Sequence, residues 1–305
     1  MATKTVIVGD LNEVSMVSTY VTFDDEAGYK LSDVIKVTPG FNKGIEYVLP
    51  TFVRQVRNAI SRARHENVVG IAVATAGEVD PKTGVVLSAP VKMPGWAGVN
   101  LRKAFEEAFD LPVSVIGEVE ANVLGEARWG ADGGKDDCLV VNVASEVIGS
   151  FLKGGIIQKG LDQVEHLGKA PLEDGKPLES RASVEAIIDH YGDIGGDRVF
   201  GHDKRRPKGY AMSAVEMDRR ATMEGEELVI EAMRWGGEPL GRAIAALDLG
   251  VDEVLVTGHA VELGSAWADA VKAGLGEGVR LSLGGVSDRM ALVGAAESVL
   301  RPAFE

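Results

Sequence analysis

The sequence predicts an α/β protein in two lobes with a cleft between them. Three observations carry this reading. Apolar runs that read as strands alternate with amphipathic runs that read as helices, almost from end to end. The chain has 305 residues, enough for two domains with substantial cores. Its composition is ordinary for a globular protein, 45% apolar and 26% charged, so disorder is not expected.

The first strand is Val6 to Val8, buried on both faces by its composition. The stretch "GDLNEVSM" at 9–16 follows it. Ser18 to Phe23 alternates and is rich in β-formers, and Asp24 to Gly28 closes it as a turn. Phe52, Val53, Val56 and Ile60 recur at helical spacing after Pro50, which predicts a helix from Thr51 to Glu66. Val68 to Ala74 is an apolar strand ending in Thr75, Ala76 and Gly77, and residues 80–84 form a turn. Asn100 caps a helix whose Leu101, Ala104, Phe105 and Ala108 share one face. A short strand, Val113 to Ile116, precedes a helix from Glu118 to Trp129 that Gly130 closes.

Cys138 to Val143 reads as a strand, joined as a hairpin to another over Gly149 to Ile157. A helical stretch starts at Ser183, and residues 213–247 read as long helices broken near Gly236-Gly237. Val254 to Thr257 is a strand, Ala260 to Ala273 a helix, Val279 to Leu283 a strand and Asp288 to Leu300 the closing helix. The expected division is a small lobe over 1–116, with the closing helix at about 288–305 packed back on it, and a larger lobe over 117–287.

The formal net charge of −14 opposes non-specific nucleic-acid binding, which rests on basic side chains neutralising phosphates. The one basic cluster, residues 202–208, lies between glycines and reads as a solvated loop. The single cysteine, Cys138, begins a strand and reads as core; alone it excludes a disulfide framework and a cysteine-rich zinc site. No apolar run reaches membrane-spanning length, and "MATKTVIVGD" lacks a signal-peptide pattern, so the expectation is a cytoplasmic protein without membrane partners.

Several stretches carry a family resemblance: "GIAVATAGEVDPKTGVVLSAP", "PGWAGVNLRKAFEEAFDLPVSV", "ANVLGEARWGA", then "PLESRAS", "VDEVLVTGH" and "SDRMALVGAA". Taken in order, they resemble the ROK family of sugar kinases and sugar-responsive repressors. The resemblance implies an actin-like, ribonuclease-H-like fold, with sugar between the lobes, nucleotide on the larger lobe, and a homodimer. Repressors of that family carry a helix-turn-helix domain ahead of the first strand. Here that strand starts near residue 5, so the repressor branch is not expected.

The scaffold resembles the family more than the chemistry does. The family's first phosphate loop is Asp-x-Gly-Gly-Thr. Asp10 matches, but Asn12, Glu13 and Val14 stand in the Gly-Gly-Thr places. The second phosphate loop reads Ala144-Ser145-Glu146-Val147-Ile148-Gly149-Ser150, with an acid at Glu146 and one glycine kept. A carboxylate about 4 Å from a phosphate charge costs on the order of 1 kcal/mol in water and about 4 kcal/mol at an effective dielectric of about 20. ATP is therefore not an expected cofactor.

The family's Glu-Asn-Asp, whose Asp is the catalytic base, becomes Ile116-Gly117-Glu118, with Glu120 two residues on. Its Gly-Glu-x-Gly-His becomes "EHLGK", placing His166 and Lys169 at the sugar-contacting positions. The zinc motif is replaced by "APLEDGKPLES", and the Gly-Gly after the "VLV" strand by Gly258-His259. By the implied fold, Glu13, Glu118, Glu120, Glu146, His166 and Lys169 ring the cleft. The other histidines, His65, His190 and His202, read as structural or solvated, while His259 sits at a strand's carboxyl edge, where ligands bind.

The expectation is a ROK-fold protein that has lost ATP-dependent sugar phosphorylation. Its cleft is reused for acid/base chemistry on, or binding of, a sugar-like or amino-bearing small molecule. Glu118 is the candidate acid or base, with Glu120 and His166 as partners; Asp10, Glu13, Glu146, Lys169 and His259 are candidate ligand contacts. Glu118, Glu120 and His166 also suit a divalent metal by donor type. The alternatives are a residual carbohydrate kinase with Glu118 as base, a pseudokinase-type binding module, and a relic pocket of solvated polar groups.

Overall fold

A computed structural model of the chain describes residues 3–24, 26–130, 133–196, 212–285 and 289–304. The chain divides into two compact units, residues 1–134 with 287–305, and residues 135–286. The helix that follows residue 117 thus belongs to the first unit, whereas the sequence reading starts the larger lobe with it. The basic cluster at 202–208 lies outside the described residues, as do Ser287 and Asp288.

The first unit runs β1 (Lys4–Leu11), β2 (Met16–Asp24), β3 (Gly28–Leu31), β4 (Ile35–Val37), α1 (Ile45–Arg62), β5 (Val68–Thr75), β6 (Glu78–Val79), β7 (Val86–Ser88), α2 (Leu101–Ala108), β8 (Val113–Gly117) and α3 (Glu118–Trp129). The main sheet has the order β3-β2-β1-β5-β8, and β4 also pairs with β2. Strands β1, β5 and β8 are parallel and β2 is antiparallel to β1. After Lys4, every residue of β1 is buried, as befits a central strand with both faces covered. One face packs Ile7, Leu11, Ile71 and Val73 against Phe52 and Val56 of α1 and Phe105 of α2.

Helix α1 begins at Ile45, six residues before the position the sequence predicts, and it contains Pro50. A proline there forfeits one backbone hydrogen bond, to the Glu46 carbonyl. Burial of Val48, Thr51, Phe52, Val56 and Ala59 holds the helix together across that loss. It ends at Arg62, short of the expected Glu66, with the Ala63 N–H donating to Ala59 and Ile60. Helix α2 is capped as its sequence predicts, the Asn100 side chain accepting from the Lys103 N–H at 2.9 Å.

The second unit runs β9 (Cys138–Val143), β10 (Val147–Lys153), β11 (Ile156–Gln158), α4 (Asp162–Glu165), α5 (Glu179–Ala182), α6 (Val184–Asp193), α7 (Ala214–Arg219), α8 (Glu227–Ala245), β12 (Glu253–Thr257), α9 (Gly264–Leu275) and β13 (Arg280–Leu283). Its sheet has the order β11-β10-β9-β12-β13, with β12 parallel to β9 and β13, and β10 antiparallel to β9. Ser183 caps α6, accepting from the Ala186 N–H at 3.2 Å.

The predicted break at Gly236-Gly237 is not there. Helix α8 runs straight through both glycines, and the interruption falls at Gly225, after a five-residue π turn. The glycines serve packing instead. A Cβ on Gly236 would stand 2.7 Å from the Arg181 carbonyl, and one on Gly237 would stand 2.9 Å from the Ala270 Cβ. Helices α5, α6 and α9 approach α8 through these notches.

Helix α10 (Arg289–Leu300) returns to the first unit and packs on α3, β5, β8 and β1. At the α3–α10 crossing Gly125 and Gly294 face each other, and a Cβ on either would overlap backbone of the other helix. Buried Glu297 of α10 accepts from Arg128 at 3.0 Å and from the Trp129 indole at 3.1 Å. These contacts fix α3, and α3 carries the candidate carboxylates at its head. Among the described residues no helix is long and apolar enough to cross a membrane.

Candidate functional site

Strands β1 and β2 pair up to Leu11 and Met16, leaving Asn12 to Ser15 as the turn. The Asn12 N–H donates to the Ser15 carbonyl at 2.9 Å. The Asn12 Oδ1 accepts from the Val14 N–H at 3.0 Å, the Ser15 N–H at 2.9 Å and the Ser15 hydroxyl at 3.3 Å. This is an Asx turn, in which a side chain takes up the turn's own donors. The Asn12 Nδ2 in turn donates to Glu118 Oε1 at 3.1 Å. Glu13 lies 3.6 Å from the exposed Lys92 ammonium, a surface pair of small energetic weight.

The root of the turn is held from β5. The fully buried Trp96 donates its indole N–H to the Thr75 hydroxyl at 2.8 Å. That hydroxyl donates to the Leu11 carbonyl at 3.0 Å, which also accepts from the Ala76 N–H at 3.0 Å. Asp10, 5% exposed, stands on β1 in register with Ala74 of β5, which is in register with Ile116 of β8. Asp10 and Glu118 therefore share the carboxyl edge of one sheet.

Glu118 and Glu120 are the first and third residues of α3, and both are half-buried. The positive end of the helix dipole favours carboxylates there. A helix N-terminus is otherwise a place where anions dock, and here the chain's own acids occupy it. The Glu120 carboxylate folds back to where a Cβ on Gly117 would stand, so the glycine makes room for it.

In the second unit, Glu146 ends the three-residue turn between β9 and β10, and the Ala144 N–H donates to its carbonyl at 3.0 Å. The Lys169 ammonium donates to Glu179 Oε1 at 2.5 Å. That bond holds the Lys169 pKa above its ordinary value, helped by the charges of Glu179 and Glu146 and opposed by desolvation. His166 is exposed, with Nδ1 at 3.2 Å from Asp162 one helical turn back. His259 is exposed and follows Gly258 at the end of β12.

The structure thus brings Asp10, Glu118 and Glu120 to one sheet edge of the first unit, with Glu13 on the adjoining turn, paired to Lys92. It brings Glu146 and Lys169 within electrostatic reach of each other in the second unit. His166 is engaged locally. Among the described residues no group of three or more His, Cys, Asp or Glu side chains is placed to hold a metal ion. The sequence reading missed Asn12, Lys92 and Glu179 as participants. The spacing Asn12-x-x-Ser15 is an Asx-turn signal; Lys92 and Glu179 are brought in by the fold and leave no local signal.

Parts of the chain are similar to known proteins. Over 132 residues it is 30% identical to a glucokinase of Halalkalibacterium halodurans, covering 40% of this chain and 39% of that one. The matched segments span less than half the length of the curated relatives. Among solved structures, a ROK hexokinase from Thermus thermophilus superposes with a TM-score of 0.70 at 21% identity, covering 96% of both chains. A ROK family transcriptional regulator, a homologue of the E. coli Mlc protein, superposes with a TM-score of 0.75 at 17% identity, covering 97% of this chain and 78% of that one. These superpositions establish the two-unit, actin-like α/β fold. The ROK family model matches residues 29–257, most of the sequence, and the chain belongs to the ROK family.

Proposed function

We propose that this protein binds a sugar-like, hydroxyl-rich small molecule at the carboxyl edge of its first unit and has lost ATP-dependent sugar phosphorylation. One observation carries the reading. The β1–β2 turn spends its Val14 and Ser15 N–H groups on Asn12 and turns the Asn12 amide toward Glu118. A phosphate offers only acceptors and needs such donors. What it meets here is carboxylate, at a cost on the order of 4 kcal/mol per charge pair about 4 Å apart and an effective dielectric of about 20. These residues do not fit an ATP-phosphate grip. A hydroxyl both donates and accepts, so it can serve a carboxylate and an amide together.

Paired carboxylates also suit acid/base work on such a ligand, with Glu118 as the acting group and Glu120 beside it. The other candidate contacts of the first unit are Asp10 and Glu13. A thermal-shift panel of ATP·Mg²⁺, other nucleotides, hexoses, amino sugars and divalent metals tests the reading. A hexose or amino sugar raises the melting temperature of the wild type and not of Glu118→Gln, while nucleotides leave both flat. The second reading, a residual carbohydrate kinase with Glu118 as base, draws on the carboxylate kept at the head of α3. Phosphoryl transfer from ATP·Mg²⁺ to a hexose, abolished in Glu118→Gln, would establish it and sink the first.

A further inference from the structure

The Asn12 amide is oriented by the fold. Its oxygen accepts from three donors, two of them backbone, and this fixes which end of the amide faces which way. Its nitrogen is thereby aimed at Glu118, a residue 106 positions away in sequence. The turn cannot drift, because the Trp96–Thr75–Leu11 relay anchors the residue before it. On the other side, the packing of α3 on α10 anchors the helix that bears Glu118. A simple turn-former would need only the oxygen half of the asparagine. Aspartate and serine form such turns as well, but neither leaves an amide donor for a carboxylate.

We infer that Asn12 is a positioning residue: through its Nδ2 it sets the orientation of the Glu118 carboxylate at the head of α3. The inference rests on the reading of Glu118 as the ligand-binding carboxylate. A donated hydrogen bond favours the ionised carboxylate, and a like charge in its place disfavours it. Asp10 and Glu120 are the neighbouring acids at this edge.

The test reads Glu118 itself, without ligand. Full-length protein labelled with ¹³C at the glutamate carboxyls is titrated by NMR, and the Glu118 signal is the one missing in Glu118→Gln. Asn12→Asp keeps the turn's acceptor and replaces the donor with a charge. It should still unfold cooperatively, and it should raise the Glu118 titration midpoint by about one pH unit or more. Asn12→Ala should raise it by less. An unchanged midpoint in both variants would overturn the inference, and Asn12 would then be a turn-former alone. Should the midpoint move while no sugar in the panel binds, the positioning role stands and the proposed function falls. Should a sugar bind while the midpoint stays fixed, only the positioning role falls.

Discussion

Replacing Gly236 by alanine separates two readings of helix α8. As a flexible break, Gly236-Gly237 would cost stability, and alanine would recover about 1 kcal/mol of helix propensity. As a packing notch, Gly236 cannot take a side chain. Its Cβ would stand 2.5 Å from the Ile187 Cγ1 and 2.7 Å from the Arg181 carbonyl, against about 3.4 Å for an ordinary contact. Ile187 is fully buried and the Arg181 partner is backbone, so neither can swing aside. Helices α5 and α6 must instead back away from α8, by about 0.7 and about 0.9 Å respectively. Overpacking of this kind costs about 1–3 kcal/mol, occasionally more. Set against the propensity gain, the net loss is about 0–2 kcal/mol, or up to roughly 4–8 °C in melting temperature. Thermal unfolding of Gly236→Ala followed by circular dichroism measures it. A melting temperature above wild type, as the propensity gain alone would give, would refute the packing argument.

Glu253, in register with Arg280, accepts from Arg280 at 2.7 Å and from the buried Lys135. Burial pushes its pKa up, and the Arg280 and Lys135 hydrogen bonds more than offset this, leaving it below its ordinary 4.5. A depressed folded value means the stabilisation is complete above the ordinary value and drains away as pH falls through the folded one. Denaturation from pH 7 to pH 3 should show a loss below about pH 4.5 that is missing in Glu253→Gln. That variant should itself be less stable at pH 7, since it takes the Glu253 charge away from the buried Lys135. Equal acid sensitivity in both proteins would contradict this. Burial pushes the Cys138 thiol up to about 12, so it stays protonated and shielded at pH 8. An aromatic disulfide reagent should label it only at the rate at which the second unit opens; immediate labelling of native protein would contradict its burial.

Much of the fold was legible because its signals are local. Gly117 and Gly130 bracket α3, and its bounds fall where the sequence puts them. Asn100 and Ser183 announce their helices as caps. The misreadings come from residues whose local preference is overridden by packing. Pro50 reads as a helix start, but buried side chains on both sides carry α1 through it. Gly236-Gly237 reads as a stop, but close helix approach is what needs glycine there. The short strands β3, β4, β6 and β7 carry too few residues for a clear period and leave no sequence signal.

The candidate site was legible in part for the same reason. Glu118 and Glu120 stand out because they open a recognisable helix after a strand. Glu13 stands out as an acid, yet its partner Lys92 lies far along the chain, where no spacing rule reaches. By sequence Asn12 stands in a glycine's place; its hold on Glu118 exists only once β8 has been laid beside β5 and β5 beside β1.

Helix α10 has a consequence for how the molecule comes into being. The first unit is interrupted after residue 134 and resumed only at 287, so the whole second unit is an insertion within it. During synthesis the second unit has all its strands before α10 is made. The sheet of β1, β5 and β8, with the α3 face around Gly125, must wait for α10 until the ribosome has finished some 150 further residues. The half of the protein that is translated first is therefore the half completed last. Its exposed apolar face is the place where a chaperone would be needed most, and a chain truncated before α10 should be retained by one.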